Sequence, residues 1–205
     1  MEIKSENLKE YIINNSNIRN RDIEIEDINK LKSLNINGLN NRLEEALFVP
    51  QELSYFKEIE ECSFSSITIT NEIIENINKL NKLEIIEYDF CKNTAKIEME
   101  NKVKRIYLNY SNIELLNLCK NIDTMEKIFL KNIENVDIRM VCKFKNVKNI
   151  YLLNCNVINI ESLEELEKLE FLKVIGSKID NYETIEKLSK SIKVEYSEDE
   201  YFNVG

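Results

Sequence analysis

Val147-Lys-Asn-Ile150-Tyr-Leu152-Leu-Asn-Cys155-Asn-Val157 is the stretch that decides the fold. Ile150 and Leu152 alternate with neighbours of other character, the two-residue period of a short strand with one buried face. The recurrence of this pattern makes it decisive. Ile106, Ile128, Ile150, Leu172 and Val194 follow one another at steps of 22 residues. Two residues after each stand Leu108, Leu130, Leu152, Val174 and Tyr196. Three residues before the first four stand Val103, Met125, Val147 and Leu169, and Ser191 takes that place before Val194. A fixed period of this length marks a repeat array, in which no unit buries its apolar face alone and neighbours must stack.

The pattern continues toward the N-terminus at uneven steps. Leu80, Leu83 and Ile85 fit one unit, with Tyr88 and Phe90 following. Ile59, Cys62 and Phe64 fit another, Leu31, Leu34 and Ile36 a third, and Leu8, Tyr11 and Ile13 the first. The interval from Leu34 to Cys62 is long and holds the only proline, Pro50. It reads as an irregular, enlarged repeat around 40–60 within a single domain spanning 1–205, of eight to nine repeats. Helical spacing fills the gaps between strands: Ile73, Ile74, Ile77 and Leu80 share one face, as do Leu163, Leu166 and Leu169, with Ser162 as a candidate cap.

These residues resemble the leucine-rich-repeat family, in the short 22-residue form of bacterial internalin-like repeats. The family pattern is L-x-x-L-x-L-x-x-N/C-x-L. The unit from Val147 to Val157 follows it, and so does Leu169-Glu-Phe-Leu172-Lys-Val174-Ile-Gly-Ser177-Lys-Ile179. The expected fold is an α/β leucine-rich-repeat solenoid. It is a right-handed coil with a parallel concave sheet and convex helices or 3-10 turns. The resemblance departs at the ninth position, where Asn or Cys should bond to turn backbone. That column reads Ser16, Leu39, Ile67, Tyr88, Ser111, Ile133, Cys155 and Ser177, an interrupted polar ladder. Residues 1–7 and 198–205 are the expected covers for the two ends of the stack.

Composition narrows the function. With 43% hydrophobic and 32% charged residues, the chain has the makeup of a folded soluble domain. No stretch approaches the roughly 18 apolar residues of a membrane span, and Met1–Glu10 lacks the apolar core of a signal peptide. The expectation is a cytoplasmic protein, or one secreted without a classical signal. Cys62, Cys91, Cys119, Cys142 and Cys155 are odd in number, contain no C-x-x-C and have no histidine beside them, so packing is their expected role. No metal and no cofactor is expected. Catalysis is not expected either. The commonest general base is missing, and three glycines, Gly38, Gly176 and Gly205, make no phosphate-binding loop.

Strand alternation sends the remaining columns to the open face of the sheet. The fifth column places Tyr107, Phe129 and Tyr151 side by side, with Phe171 of the third column diagonal to them. Leu153 and Ile175 extend this patch, and Lys82, Arg105, Lys127, Lys131, Lys173 and Lys193 surround it. The N-terminal part of the face reads as small and polar. Aromatic residues rimmed by basic ones have the anatomy of a protein interface. The competing structural role is lateral packing between strands.

The leading expectation is a monomeric, non-catalytic module that binds a protein through its concave face. One alternative is a dedicated inhibitor or immunity protein that neutralises a toxin or nuclease. Single-stranded nucleic-acid binding is a further alternative, because basic residues interleaved with aromatics suit such a groove. It ranks below the others because the net charge is −9.

Overall fold

The computed structural model describes residues 3–16, 18, 22–38 and 49–199. Among these, eight parallel strands form one sheet: Ser33–Asn37, Glu61–Ser65, Ile85–Asp89, Arg105–Asn109, Lys127–Lys131, Asn149–Leu153, Phe171–Ile175 and Lys193–Ser197. They are called here the first to the eighth strand. Each has five residues, and its second and fourth side chains point into one continuous core. Ile106, Ile128, Ile150 and Leu172 are laterally paired and fully buried, as are Leu108, Leu130, Leu152 and Val174. The 22-residue period is thus the spacing that puts like residues side by side on neighbouring strands.

The chain returns on the other side through helices, 3-10 turns and short strands. The helix α1 (Glu6–Ser16) is followed by α2 (Ile25–Asn29), α3 (Asn71–Ile77), α4 (Arg139–Cys142) and α5 (Tyr182–Leu188). On α3 the hydroxyl of Thr70 accepts from the Ile73 N–H at 3.4 Å and caps the helix. Ile73, Ile74, Ile77 and Leu80 are buried, as their helical spacing requires. A strand takes about 4.8 Å of the stack, whereas a helix with its side chains is about 10 Å wide. The sheet is therefore the shorter, concave side.

Three sequence expectations are corrected. The first is the register of the third strand, whose fourth- and sixth-column residues are Ile86 and Tyr88 rather than Leu83 and Ile85. Leu80-x-x-Leu83-x-Ile85 and Leu83-x-x-Ile86-x-Tyr88 both satisfy the pattern. The observed frame keeps Leu80 and Leu83 buried as well. It also preserves a bond that recurs at the entries of the second to seventh strands, where one carbonyl accepts two successive N–H groups. Glu60 O takes those of Glu84 and Ile85, and Lys104 O takes those of Glu126 and Lys127.

The same shift moves Cys91, not Tyr88, into the ninth column. The Cys91 N–H donates to the hydroxyl of Ser111 at 2.9 Å, and that hydroxyl donates to Tyr88 O at 3.0 Å. Cys155 and Ser177 repeat the arrangement at 2.9 and 3.0 Å. Two intact rungs of the polar ladder flank a gap at the buried Ile133. The column's Leu39 lies outside the described residues, and so do residues 40–48 of the segment expected around 40–60. From its described end, Leu53, Phe56 and Ile59 are fully buried.

The second correction is at the N-terminus. The expected strand through Tyr11 and Ile13 is the helix α1. Leu8 and Ile12, one helical turn apart, are fully buried, while Ile13 is 43% exposed. Tyr11 Oη donates to Ser33 O at 2.9 Å, which ties the helix to the first strand. The buried carboxylate of Glu52 accepts from the Lys4 and Ser5 N–H groups at 2.5 and 3.1 Å. The N-terminal cover is therefore the α1–α2 unit rather than residues 1–7 alone. Among the described residues no strand pairs with the outer side of the first strand, and a helix satisfies most of its own backbone groups there.

The third correction concerns Ser162. It lies inside a 3-10 turn, Ile160–Glu165, and does not cap a helix. The carboxylate of Asp180 instead accepts from the N–H groups of Asn159 and Ile160, at 2.5 and 3.3 Å. Leu163, Leu166 and Leu169 are buried nonetheless.

Candidate functional site

The fourth to seventh strands bring the expected aromatic residues together on the open face. Tyr107 and Phe129 have ring centroids 5.5 Å apart, Phe129 and Tyr151 5.0 Å, and Tyr151 and Phe171 5.4 Å with the last pair edge to face. These are ordinary aromatic packing distances, so the four rings form one unbroken ladder. The strand register produces it directly: Tyr107 is opposite Phe129, which is opposite Tyr151, and Phe171 follows two places off on the next strand. All four side chains are half-buried. Their edges pack on one another while the outer surface stays open.

The basic residues divide by what they touch. Lys127 places its Nζ 4.5 Å from the Tyr151 ring centroid, and Lys193 lies 5.0 Å from that of Phe171, both within cation–π range. Lys173 and Lys193 each reach Glu195 at 3.0 Å. These two partners, Lys193 first, hold the Glu195 carboxyl below its ordinary value. Arg105 is exposed and makes no ion pair among the described residues. Lys131 lies on the fifth strand opposite Leu153.

Two of the expected site residues are placed otherwise. Lys82 precedes the third strand and pairs with Glu58 at 2.5 Å. The register shift gives its expected position to Ile85. Leu153 is 1% exposed and lies between Lys131 and Ile175 in register. It underlies the patch and offers no surface. Ile175 remains half-buried on the face.

The shifted register also reveals residues that the pattern in its other frame conceals. Glu87 and Asp89 stand on the open face of the third strand, with Glu61 on the second. The N-terminal part of the face is thus acidic, not merely small and polar. Glu87 is half-buried, and burial first and Glu61 next push its carboxyl above the ordinary range. Along the C-terminal edge of the strands runs a chain of side-chain bonds. Asn154 Nδ2 donates to Asn132 Oδ1, Asn132 Nδ2 to Asn109 Oδ1, and Asn109 Nδ2 to Asp89 Oδ1, at 3.2, 2.9 and 2.7 Å.

One step beyond this edge the backbone turns left-handed. Ser66, Phe90, Tyr110, Asn132, Asn154 and Gly176 all have φ between 46° and 62°. Asn and Gly are suited to this region, whereas bulky side chains are rare in it. Phe90 and Tyr110 nonetheless occupy it, stacked with centroids 4.6 Å apart and planes 8° from parallel, each 54% exposed.

The five cysteines are buried and unpaired. Burial pushes the Cys119 thiol up to about 12 and those of Cys142 and Cys155 to about 11. Thiols held so far from ionisation are poor nucleophiles and poor metal ligands. Among the described residues no group of three or more Cys, Asp or Glu side chains is placed to hold a metal ion. No described helix is long and apolar enough to cross a membrane.

No family profile and no curated protein sequence matches the chain. Solved structures do. Internalin C2 of Listeria monocytogenes is similar over 98% of this chain and 87% of its own, at 15% identity and a TM-score of 0.60. A second internalin of that species, internalin F, is 11% identical over 93% of this chain and 74% of its own, with a TM-score of 0.34. A leucine-rich-repeat protein of Leptospira interrogans is 14% identical over 97% of this chain and 59% of its own, with a TM-score of 0.31. The likeness to internalin C2 bears on the fold alone. With its eight laterally registered strands and 22-residue period, this chain is a leucine-rich-repeat solenoid of the kind found in internalins.

Proposed function

We propose that the protein is a non-catalytic interaction module that binds a partner protein through the aromatic ladder on its concave sheet. The single observation carrying this reading is the ladder itself: four half-buried aromatic rings in contact across four strands on the outward side of the sheet. Lateral packing explains why the rings touch. It does not require large apolar groups on the open side, since the first two strands carry Asn35 and Ser63 in the same column. Aromatic side chains with basic neighbours are the composition of interface hot spots. Arg105, Lys127 and Lys131 suit an acidic partner surface, which they would steer and orient. The reading is of a monomer in the cytoplasm, a reducing compartment that five unpaired thiols suit.

The test is capture from the native lysate with nuclease present. Wild type is set beside a Tyr107→Ala/Phe129→Ala/Tyr151→Ala variant whose fold is verified by circular dichroism. A protein retained by wild type and lost from the variant supports the reading. Equal capture by both refutes the site. Nucleic acid recovered without nuclease and lost with it would favour single-stranded nucleic-acid binding.

A further inference from the structure

The concave face changes character between the third and fourth strands. The outward positions of the first three strands carry no Lys or Arg, and Glu61, Glu87 and Asp89 are their charged members. None of these carboxylates is in an ion pair among the described residues. From the fourth strand on, the charges are basic, and the lone carboxylate, Glu195, is already bound by Lys173 and Lys193. The acidic part is not flat. Glu87, Asp89, Asn109, Tyr107, Phe129 and Lys131 line a depression of about 490 Å³, so its two carboxylates face a far wall made by the start of the aromatic ladder and one lysine. Phe90 and Tyr110 directly follow Asp89 and Asn109 in the chain, and they stand at its rim as an exposed stacked pair. Outside that pair, Glu114 and Glu134 border a second depression beside Tyr110.

We propose that this hollow and the Phe90–Tyr110 pair form one docking surface for an arginine-rich segment of a partner protein. The inference rests on the concave face being the binding face, and adds a second determinant to the ladder. A guanidinium is the group whose chemistry fits both parts. It is planar, it bonds carboxylates through two N–H groups at once, and it stacks on aromatic faces. Within the hollow, Glu87 and Asp89 supply acceptors beside the Tyr107 and Phe129 rings. At the rim, the stacked pair is about half exposed and so offers ring surface to a second guanidinium, with Glu114 and Glu134 bordering the depression beside Tyr110. A segment carrying such residues crosses the C-terminal edge of the strands and enters the hollow. The basic half of the face then meets acidic groups elsewhere on the same partner. This polarity fixes one orientation along the solenoid and rejects the reverse one by like-charge contact.

The probe is a fluorescein-labelled hexa-arginine peptide, followed by anisotropy at about 0.15 M salt, where interactions beyond roughly 8 Å are screened. Wild type should bind saturably. Glu87→Gln and Tyr110→Asn should each weaken binding by about tenfold or more, as truncation of an interface anchor does. Tyr110→Asn places at this site the residue that two other repeats carry there. Glu183→Gln, an equal charge change on the exposed side of α5, should leave affinity within about twofold. Equal weakening by Glu183→Gln, absence of saturable binding, or equal binding of spermine, which has no planar group, overturns the proposal. Native-partner capture separates the two readings. A partner lost from the aromatic triple variant but held fully by Glu87→Gln/Tyr110→Asn overturns this inference and leaves the ladder intact as the site. Loss from both variants supports it.

Discussion

Tyr151 is the keystone of the aromatic ladder, and its truncation has a magnitude that the geometry dictates. Its ring meets Phe129 at 5.0 Å and Phe171 at 5.4 Å, and Lys127 stands 4.5 Å from its centroid. Each aromatic pair contributes about 0.5–1.5 kcal/mol beyond area burial, and an exposed cation–π contact about 0.5–1 kcal/mol. Tyr151→Ala therefore costs about 1.5–4 kcal/mol of folding stability. Phe129 loses two ring contacts and no cation, and Tyr107 only one ring contact. The expected order of destabilisation is Tyr151, then Phe129, then Tyr107, the last at about 0.5–1.5 kcal/mol. For a domain of this size, about 2–4 °C of melting temperature accompanies each kcal/mol. Urea and thermal melts of the three single alanine variants measure the series, with circular dichroism at 20 °C to show that each remains folded. Tyr151→Ala costing no more than Tyr107→Ala would refute the ladder as one packed unit. The series also guards the binding experiment, since a variant that is less stable but fully folded must still bind if the rings serve packing alone.

Three further outcomes are expected. Leu152→Asp puts an unpaired charge at a fully buried position and should abolish cooperative melting, because such changes exceed about 4 kcal/mol; native dichroism and an unchanged melt would contradict the register. Glu87 has its folded pKa raised by burial and by Glu61, so the folded state takes up its proton at higher pH than the unfolded chain does. Its charge opposes folding above the raised pKa and that opposition fades as pH falls through it, so Glu87→Gln should be more stable than wild type near neutral pH and lose this advantage in acid, and an advantage independent of pH would count against the assignment. Phe90→Asn/Tyr110→Asn gives up one stack of about 1 kcal/mol and relieves two bulky left-handed residues at roughly 1 kcal/mol each, so stability should stay within about 1 kcal/mol of wild type; a loss above about 2 kcal/mol in urea melts would mean that the pair holds the fold.

From Val103 onward the sequence determined almost everything that positions the ladder. Where steps are equal, like residues fall side by side without further information, so Tyr107, Phe129 and Tyr151 had to meet. Arg105, Lys127, Lys173 and Lys193 were legible in the same way. Leu153 was not, because alternation assigns a face and says nothing of how neighbours cover a side chain on it. Tyr110 was visible at the eighth place of the repeat, whereas the other frame put Phe90 at the eleventh; only the backbone brings the two into one column and shows that this place is left-handed.

Where the step departs from 22, the tertiary structure decided. Between Leu80 and Cys91 two frames satisfy the apolar pattern equally. The choice fell to lateral pairing with the strands on either side, which set Glu87 between Ser63 and Tyr107 and so made the hollow acidic. Ahead of the first strand the apolar spacing of Leu8, Tyr11 and Ile13 allows a strand, yet among the described residues Ser33–Asn37 is an edge with a neighbour on one side only. A strand there would leave a row of unpaired backbone groups, whereas the helix α1 bonds its own and covers the core with Leu8 and Ile12. Local pattern specifies a repeat wherever neighbours share its period; at an end or a change of step, the contacts with those neighbours do.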